Sequence, residues 1–290
     1  MDLTLQNNDL RVRINPSGAE LRSVITRSNK LEYMWSGDPD YWGKTSPVLF
    51  PIVGALKDGM YEFEGVQYNL PRHGFARDNL FDVVAARDDE VALVLESKGH
   101  FLEVYPFEFA LAITYSISDL TLTVSYEVAN RGKQDMYFSL GAHPAFAVPI
   151  VPGTRYEDHY LLFRSKELVS RWPITPAGLI SSSPIPFLTQ SNRVDLTHAL
   201  FEDDAVVLKD LQSNVVSLRC NAHPHGLDFH YKGFPYLGIW SAKDANFVCI
   251  EPWCGIADAD THDGHLIQKE GIERLAGQAS WSRSWSVTFY

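Results

Sequence analysis

Phe109-Ala-Leu-Ala-Ile-Thr-Tyr-Ser-Ile117, followed across Ser118-Asp119 by Leu120-Thr-Leu-Thr-Val-Ser-Tyr-Glu-Val128, decides the fold. Phe109, Leu111, Ile113, Tyr115 and Ile117 share one parity, with Ala, Thr and Ser on the other. Leu120, Leu122, Val124, Tyr126 and Val128 then alternate with Thr121, Thr123, Ser125 and Glu127. Successive strand side chains point to opposite faces, so the pattern predicts two antiparallel strands with one buried face. Asp119 marks the turn between them.

The same alternation extends outward in both directions. Leu10, Val12 and Ile14 alternate with Arg11 and Arg13, and Val91, Leu93 and Leu95 repeat the pattern. At the C-terminus Trp281, Arg283, Trp285, Val287 and Phe289 face Ser282, Ser284, Ser286 and Thr288. Turn signals recur at Asn7-Asn-Asp9, Pro16-Ser-Gly18, Glu64-Gly65, Asn130-Arg-Gly132 and Pro152-Gly153. Helical periodicity is rare; short helices are predicted only around 195–201 and 265–275. The chain therefore reads as all-β, a large antiparallel β-sandwich with few short helices. The Pro- and Ser-rich segment 173–186 is flanked by strands of the same style, so it reads as a long surface loop. No internal repeat or charge block divides the chain, and residues 1–290 are expected to form a single domain.

A chain of 290 residues can bury roughly 75% of its unfolded surface, enough for a large core. The net charge of −11, from 36 acidic and 25 basic side chains, argues against a general nucleic-acid or anionic-membrane surface. Three cysteines, Cys220, Cys249 and Cys254, without framework spacing suggest a reducing compartment. The first residues lack the basic and apolar regions of a signal peptide, and no apolar run reaches the ~20 residues of a membrane span. A cytoplasmic protein is expected, either monomer or homodimer, with a small molecule as its partner and neither nucleic acid nor membrane.

Several stretches could carry chemistry. In Gly141-Ala-His-Pro-Ala-Phe146 an apolar run ends at a glycine and a proline, which places His143 at a strand end facing a cleft. A lone histidine more often serves structure; this position favours a proton donor. In Phe247-Val-Cys-Ile-Glu-Pro-Trp-Cys-Gly255 the carboxylate of Glu251 closes an apolar run beside a tryptophan. Partial desolvation raises a carboxyl pKa and makes a better base near neutral pH. An edge ion pair is the blander reading of Glu251. It is less attractive because burying a Glu in such company is costly.

In Leu70-Pro-Arg-His-Gly-Phe-Ala-Arg77, His73 and Arg77 flank a glycine and suit sugar hydroxyls or an anion. Spacing alone equally allows His73 to cap local backbone and Arg77 to pair with a nearby acid. Gly233-Phe-Pro-Tyr-Leu-Gly-Ile-Trp240 could supply a stacking wall for a pyranose, although core packing explains most single aromatics. His223-Pro-His225 and His262-Asp-Gly-His265 invite a metal reading. Neither is expected to have a companion cysteine or a standard zinc spacing, and no metal is predicted. Phosphate-binding, dinucleotide, nucleophile-elbow and metalloprotease motifs are absent from the sequence, so no cofactor is predicted.

These motifs, taken in order, resemble those of the aldose 1-epimerase (galactose mutarotase) superfamily, and within it the LacX-like branch. The matching pieces are Pro47-Val-Leu-Phe-Pro-Ile-Val-Gly54, His73-Gly-Phe-Ala-Arg77, Gly141-Ala-His-Pro-Ala-Phe146, Phe234-Pro-Tyr-Leu-Gly-Ile-Trp240 and Glu251-Pro-Trp-Cys-Gly255. The resemblance implies a galactose mutarotase-like supersandwich and an isomerase that interconverts hexose anomers. It implies that His143 protonates the ring oxygen, that Glu251 takes the proton of the anomeric hydroxyl, and that His73 is the second active-site histidine. It also implies a sugar-contacting acid within Phe201-Glu-Asp-Asp204, for which Asp204 is chosen. Trp240 joins His73, Arg77 and Asp204 as a substrate-binding residue.

One departure stands out. Where the family often carries an arginine after Gly54, this chain has Ala55, leaving Arg77 or Lys57 to supply positive charge. That departure motivates two alternatives, a non-catalytic sugar-binding or sensing protein and a mutarotase for hexose 6-phosphates using Lys57, Arg72 and Arg77. A glycosidase needs two carboxylates across the bond, and only Glu251 is nominated. His143 and Glu251 are expected to face each other across one pocket, about one sugar ring apart, with the carboxylate raising the His143 pKa above its ordinary value of about 6.5.

Overall fold

The computed structural model describes residues 2–290, and most of its regular structure is antiparallel strand. The predicted meander is formed by strands Phe109–Ser118 and Thr121–Asn130, with Ser118 opposite Thr121. Asp119 turns the chain at φ +47°, a left-handed conformation that short polar side chains tolerate. Val124 stands between Tyr115 and Trp285 of the neighbouring strands. The predicted inward residues of the meander are buried, apart from a half-exposed Leu120 at the turn. In the C-terminal strand Ser280–Phe289 the pattern grades from half-buried Trp281 to fully buried Phe289. Trp285 Nε1 donates to Tyr126 Oη at 3.0 Å, so the indole is buried with its N–H satisfied.

These strands belong to one 15-stranded sheet. It runs from Val48–Leu49 through Leu140–Ala142, Phe247–Cys254, Tyr236–Trp240, Val206–Lys209 and His159–Trp172. It then continues through Val215–Cys220, Leu227–His230, Ser280–Phe289 and the meander to Glu90–Glu96 and Asp82–Ala86. The sheet folds over itself: Phe50, beside the first strand, packs on Phe109 of the far half with ring centroids 5.1 Å apart. A second sheet, Leu3–Gln6, Leu10–Asn15 and Glu20–Thr26, shares the same core. Tyr115 Oη ties the two together by donating to the Ala19 carbonyl at 2.6 Å.

The two predicted helices contract. Residues 195–201 hold the end of strand Ile185–Asp195 and a 3-10 turn, His198–Phe201. Residues 265–275 hold a 3-10 turn, Leu266–Gln268, and a strand, Glu273–Leu275, which pairs with Met136–Phe138. Gly271 at φ +71° breaks the helical run, and strand pairing decides the rest. The α-helix His100–Val104 was not foreseen. Segment 173–186 connects the long hairpin His159–Trp172 and Ile185–Asp195. It is more than a surface loop, because Ile180 bridges Ile174 and Ala259 and turns inward. No helix among the described residues is long and apolar enough to cross a membrane.

Candidate active site

The strand Phe247–Cys254 is buried along its whole length and forms the floor of the site. Its neighbour is interrupted. Leu140–Ala142 pairs with it around Trp253 and Cys254, and Ala145–Ala147 pairs with it from Phe247 to Cys249. His143 and Pro144 fall in the gap, beside Ile250 and Glu251. Proline has no N–H to give the ladder, and Ile250 N closes the gap by donating to the Pro144 carbonyl at 3.2 Å. The break releases His143 from the pleat and turns it toward Glu251, whose carboxyl Oε2 lies 3.2 Å from His143 Nε2.

This pair is nearly dry. His143 is 8% and Glu251 1% exposed. Burial pushes the Glu251 carboxyl well above its ordinary 4.5, with the Arg72 charge opposing and the Asp204 charge adding to the rise. The expected rise at His143 is reversed: burial lowers it to about 3, and the charges of Arg77 and Arg72 push the same way. Desolvation of the imidazolium outweighs attraction to a carboxyl that is itself kept protonated. With the imidazole neutral and the carboxyl protonated, the two groups hold one proton between them. They also stand closer than one sugar ring.

Around the pair lies a cavity of about 340 Å³, at the small end of the usual range for small-molecule sites. Trp42 packs over the His143 ring at 4.8 Å with the planes 30° apart, and Trp240 meets His143 edge-on at 5.6 Å. Trp253 forms part of the lining. It fits because Gly141 and Gly238 flank it: a Cβ on Gly141 would come within 2.6 Å, and one on Gly238 within 2.4 Å, of its ring.

The His73–Arg77 loop forms the rim, and its polar side chains are tied to neighbouring backbone and an acid while also lining the cavity. Gly54 N donates to His73 Nδ1 at 3.1 Å, so Nε2 carries the ring proton of a neutral His73. Burial keeps His73 well below its ordinary value, helped by His143, Arg72 and Arg77. Arg77 Nη2 donates to the Arg72 carbonyl at 2.9 Å, and its Nε lies 3.6 Å from Asp78 Oδ2. Both residues nevertheless line the cavity. Asp204 is the member of the acidic run that joins them, held at φ +78° and 3.7 Å from Arg72 Nη2.

Lys57 does not reach the site; its Nζ donates to the His262 carbonyl at 3.0 Å. Arg72 and Arg77 are the cations present, with Ala55 beneath the 173–184 loop against Gly178. The Gly233–Trp240 stretch divides its duties. Leu237 and Ile239 are core, and Trp240 is wall. Trp42, Ile174 and Ile180 were missed. A tryptophan in a loop, Tyr41-Trp-Gly43, is a signal that sequence alone offers. Its main chain is held at both ends, with Trp42 N donating to the Asp38 carbonyl at 2.8 Å and Trp35 Nε1 donating to the Trp42 carbonyl at 2.9 Å; just downstream, the buried Oε1 of Glu20 accepts from Thr45 Oγ1 at 3.1 Å and Ser46 N at 3.2 Å.

Known proteins resemble the chain over its whole length. A family model described as aldose 1-epimerase matches residues 1–268. Protein LacX, chromosomal, of Lactococcus lactis subsp. lactis is 30% identical over 300 residues, covering 99% of each chain. A galactose mutarotase related enzyme from Lactobacillus acidophilus superposes with a TM-score of 0.96 at 34% identity, over 100% of this chain and 97% of that one. A galactose mutarotase-like protein from Lactobacillus casei gives 0.94 at 30% identity over the whole of both chains.

Proposed function

The chain belongs to the aldose 1-epimerase family, and on that premise we propose that it interconverts the α and β anomers of a free hexose by acid/base ring opening. The observation that carries the proposal is the contact of His143 with Glu251, 3.2 Å apart in a cavity walled by tryptophans. The reactive form has the shared proton on His143 and the charge on Glu251; the Arg72 charge favours the carboxylate and opposes the imidazolium. Glu251 takes the O1 proton as His143 delivers its own to the ring oxygen. The C1–ring oxygen bond breaks, C1–O1 becomes a carbonyl, and rotation about C1–C2 presents the other face for closure. The reverse transfers restore the pair. One positioned acid and one positioned base each contribute ~10²–10⁴-fold.

The remaining lining residues bind. Trp42 and Trp240 give apolar faces for the pyranose. His73 Nε2–H, Arg77 and Asp204 provide a donor, a cation and an acceptor for hydroxyls. The test is equilibration of a freshly dissolved α-hexose, followed by polarimetry or NMR. Saturable sugar binding without faster equilibration would support a non-catalytic sensor instead.

A second reading is favoured by one observation, the presence of both Arg72 and Arg77 on the same cavity. Two guanidinium groups suit a phosphate monoester, so a hexose 6-phosphate is the competing substrate. Rates with glucose and glucose 6-phosphate separate the two.

A further inference from the structure

A second cluster of chemically capable side chains lies far along the sheet from the catalytic pair. His159 begins the long strand His159–Trp172, whose other end leads into the loop that walls the cavity. Across the ladder, His159 pairs directly with Cys220, the last residue of Val215–Cys220. The chain then turns, and His223 comes back over the same spot, its ring centroid 5.5 Å from that of His159. One ligand atom from each of His159, Cys220 and His223 lies within 4.8 Å of the other two. Cys220-Asn-Ala-His223 thus carries the companion cysteine that the His223-Pro-His225 motif was expected to lack.

The groups are prepared for a ligand that none of them has. His159 is fully buried, and its Nδ1 is engaged with the Arg155 carbonyl at 2.9 Å. That contact fixes the proton on Nδ1 and leaves Nε2 as a bare lone pair, the arrangement that second partners impose on metal-ligating histidines. His159 Nε2 has no hydrogen-bond partner, and neither ring nitrogen of His223 has one. Unpartnered buried nitrogens are costly unless something else satisfies them. Cys220 is a free thiol, and its sulfur accepts a hydrogen bond from Ala222 N at 3.4 Å. The thiolate is the form of cysteine that binds metal. Asn221 N, donating to the Asp158 carbonyl at 2.8 Å, pins the turn over the strand end.

We propose that His159 Nε2, Cys220 Sγ and His223 hold a divalent zinc ion, with the fourth tetrahedral position open to water. Two imidazoles and a thiolate are a borderline-soft set that suits zinc. Tetrahedral coordination needs ligand atoms ~3.3–3.6 Å apart, so the groups close in slightly as the ion binds. Binding releases the Cys220 thiol proton to solvent, and the charge on sulfur is neutralised by the metal. The ion clamps the 221–226 turn to the start of the long strand, away from the sugar cavity.

The test uses the full-length protein, freed of metal by a chelator and titrated with cobalt(II). One equivalent is expected to give a cobalt–thiolate charge-transfer band and the intense visible bands of a tetrahedral site, both displaced by zinc. Cys220→Ser should remove the charge-transfer band. His223→Gln should weaken zinc binding by at least about tenfold, while Cys249→Ala, beside the catalytic pair, should retain the band. His223 sits in a turn, so its variant stands even if substitution in the strand prevents folding. Absence of one-equivalent binding, or binding that is equally tight in Cys220→Ser and His223→Gln, would overturn the proposal.

Discussion

His143 and Glu251 lie 3.2 Å apart, both nearly excluded from water, and share one proton. Their opposed shifts give a distinctive dependence of stability on pH. The His143 pKa is lowered from 6.5 to about 3, so its contribution to stability falls away as pH drops below 6.5 and is complete above it. The Glu251 pKa is raised above 4.5, so its contribution is complete below 4.5 and is lost as pH rises toward the folded value. Between 4.5 and 6.5 the two slopes cancel. Above 6.5 only the loss at Glu251 remains, at up to about 1.4 kcal/mol per pH unit. Glu251→Gln keeps the size and a donor for His143 but cannot ionise. Its urea midpoint should hold steady from pH 7 upward while that of the parent falls; parallel curves would refute the raised carboxyl.

Trp42 reaches the site from a loop, and nothing in the strand ladder compels it to be there. Its position over His143, 4.8 Å between ring centroids, is the basis of its proposed part in sugar binding. Trp42→Ala should raise KM roughly tenfold, in keeping with about 0.5–1.5 kcal/mol for an aromatic contact. The change in kcat should be smaller. Steady-state kinetics across hexose concentrations separates the two parameters.

Gly238 is required by the ring beside it. A methyl at this position would stand 2.4 Å from Trp253, and overpacking of this kind costs about 1–3 kcal/mol. Gly238→Ala should lower the unfolding free energy by that amount and reduce activity, because Trp253 lines the cavity next to Glu251. Chemical unfolding and the mutarotation rate, measured on one preparation, test both.

Arg72 and Arg77 offer a way to distinguish the two proposed substrates. If the sugar is unphosphorylated, Arg72→Ala should raise KM for glucose by about tenfold, the low end of what one hydrogen bond to a charged donor contributes. If a phosphate is held between the two guanidinium groups, the same variant should lose most of its activity on glucose 6-phosphate and little on glucose. Parallel assays with the two sugars give the answer.

Much of the fold was legible because its alternation has a single reading. Inward residues of the meander and of the C-terminal strand follow a period of two, and no helix competes for them. The expected helix over 265–275 failed where Glu273–Leu275 pairs with Met136–Phe138, a partner 137 positions away in the chain. Local pattern carries no information about such a partner. At the site, the residues on strands or at strand ends were legible: His143, Glu251 and Trp240 sit where ladders end or break. Trp42 and the inward turn of Ile180 were not, since their positions depend on contacts outside the strand pattern, such as Trp35 with Trp42 and Ile180 with Ala259. The sign of the His143 shift was also out of reach. It depends on how dry the pair is, which only the packed structure reveals.

The central claim is that His143 and Glu251 exchange protons with the ring oxygen and O1 of a hexose. The most direct measurement is the approach of fresh α-glucose to anomeric equilibrium, followed by polarimetry with the parent protein, His143→Ala and Glu251→Gln at equal concentration. The parent should accelerate equilibration, and each variant should lose ~10²–10⁴-fold of that acceleration. The double variant should fall little further, because the two groups act as a unit. Equilibration by either variant as fast as by the parent would contradict the account.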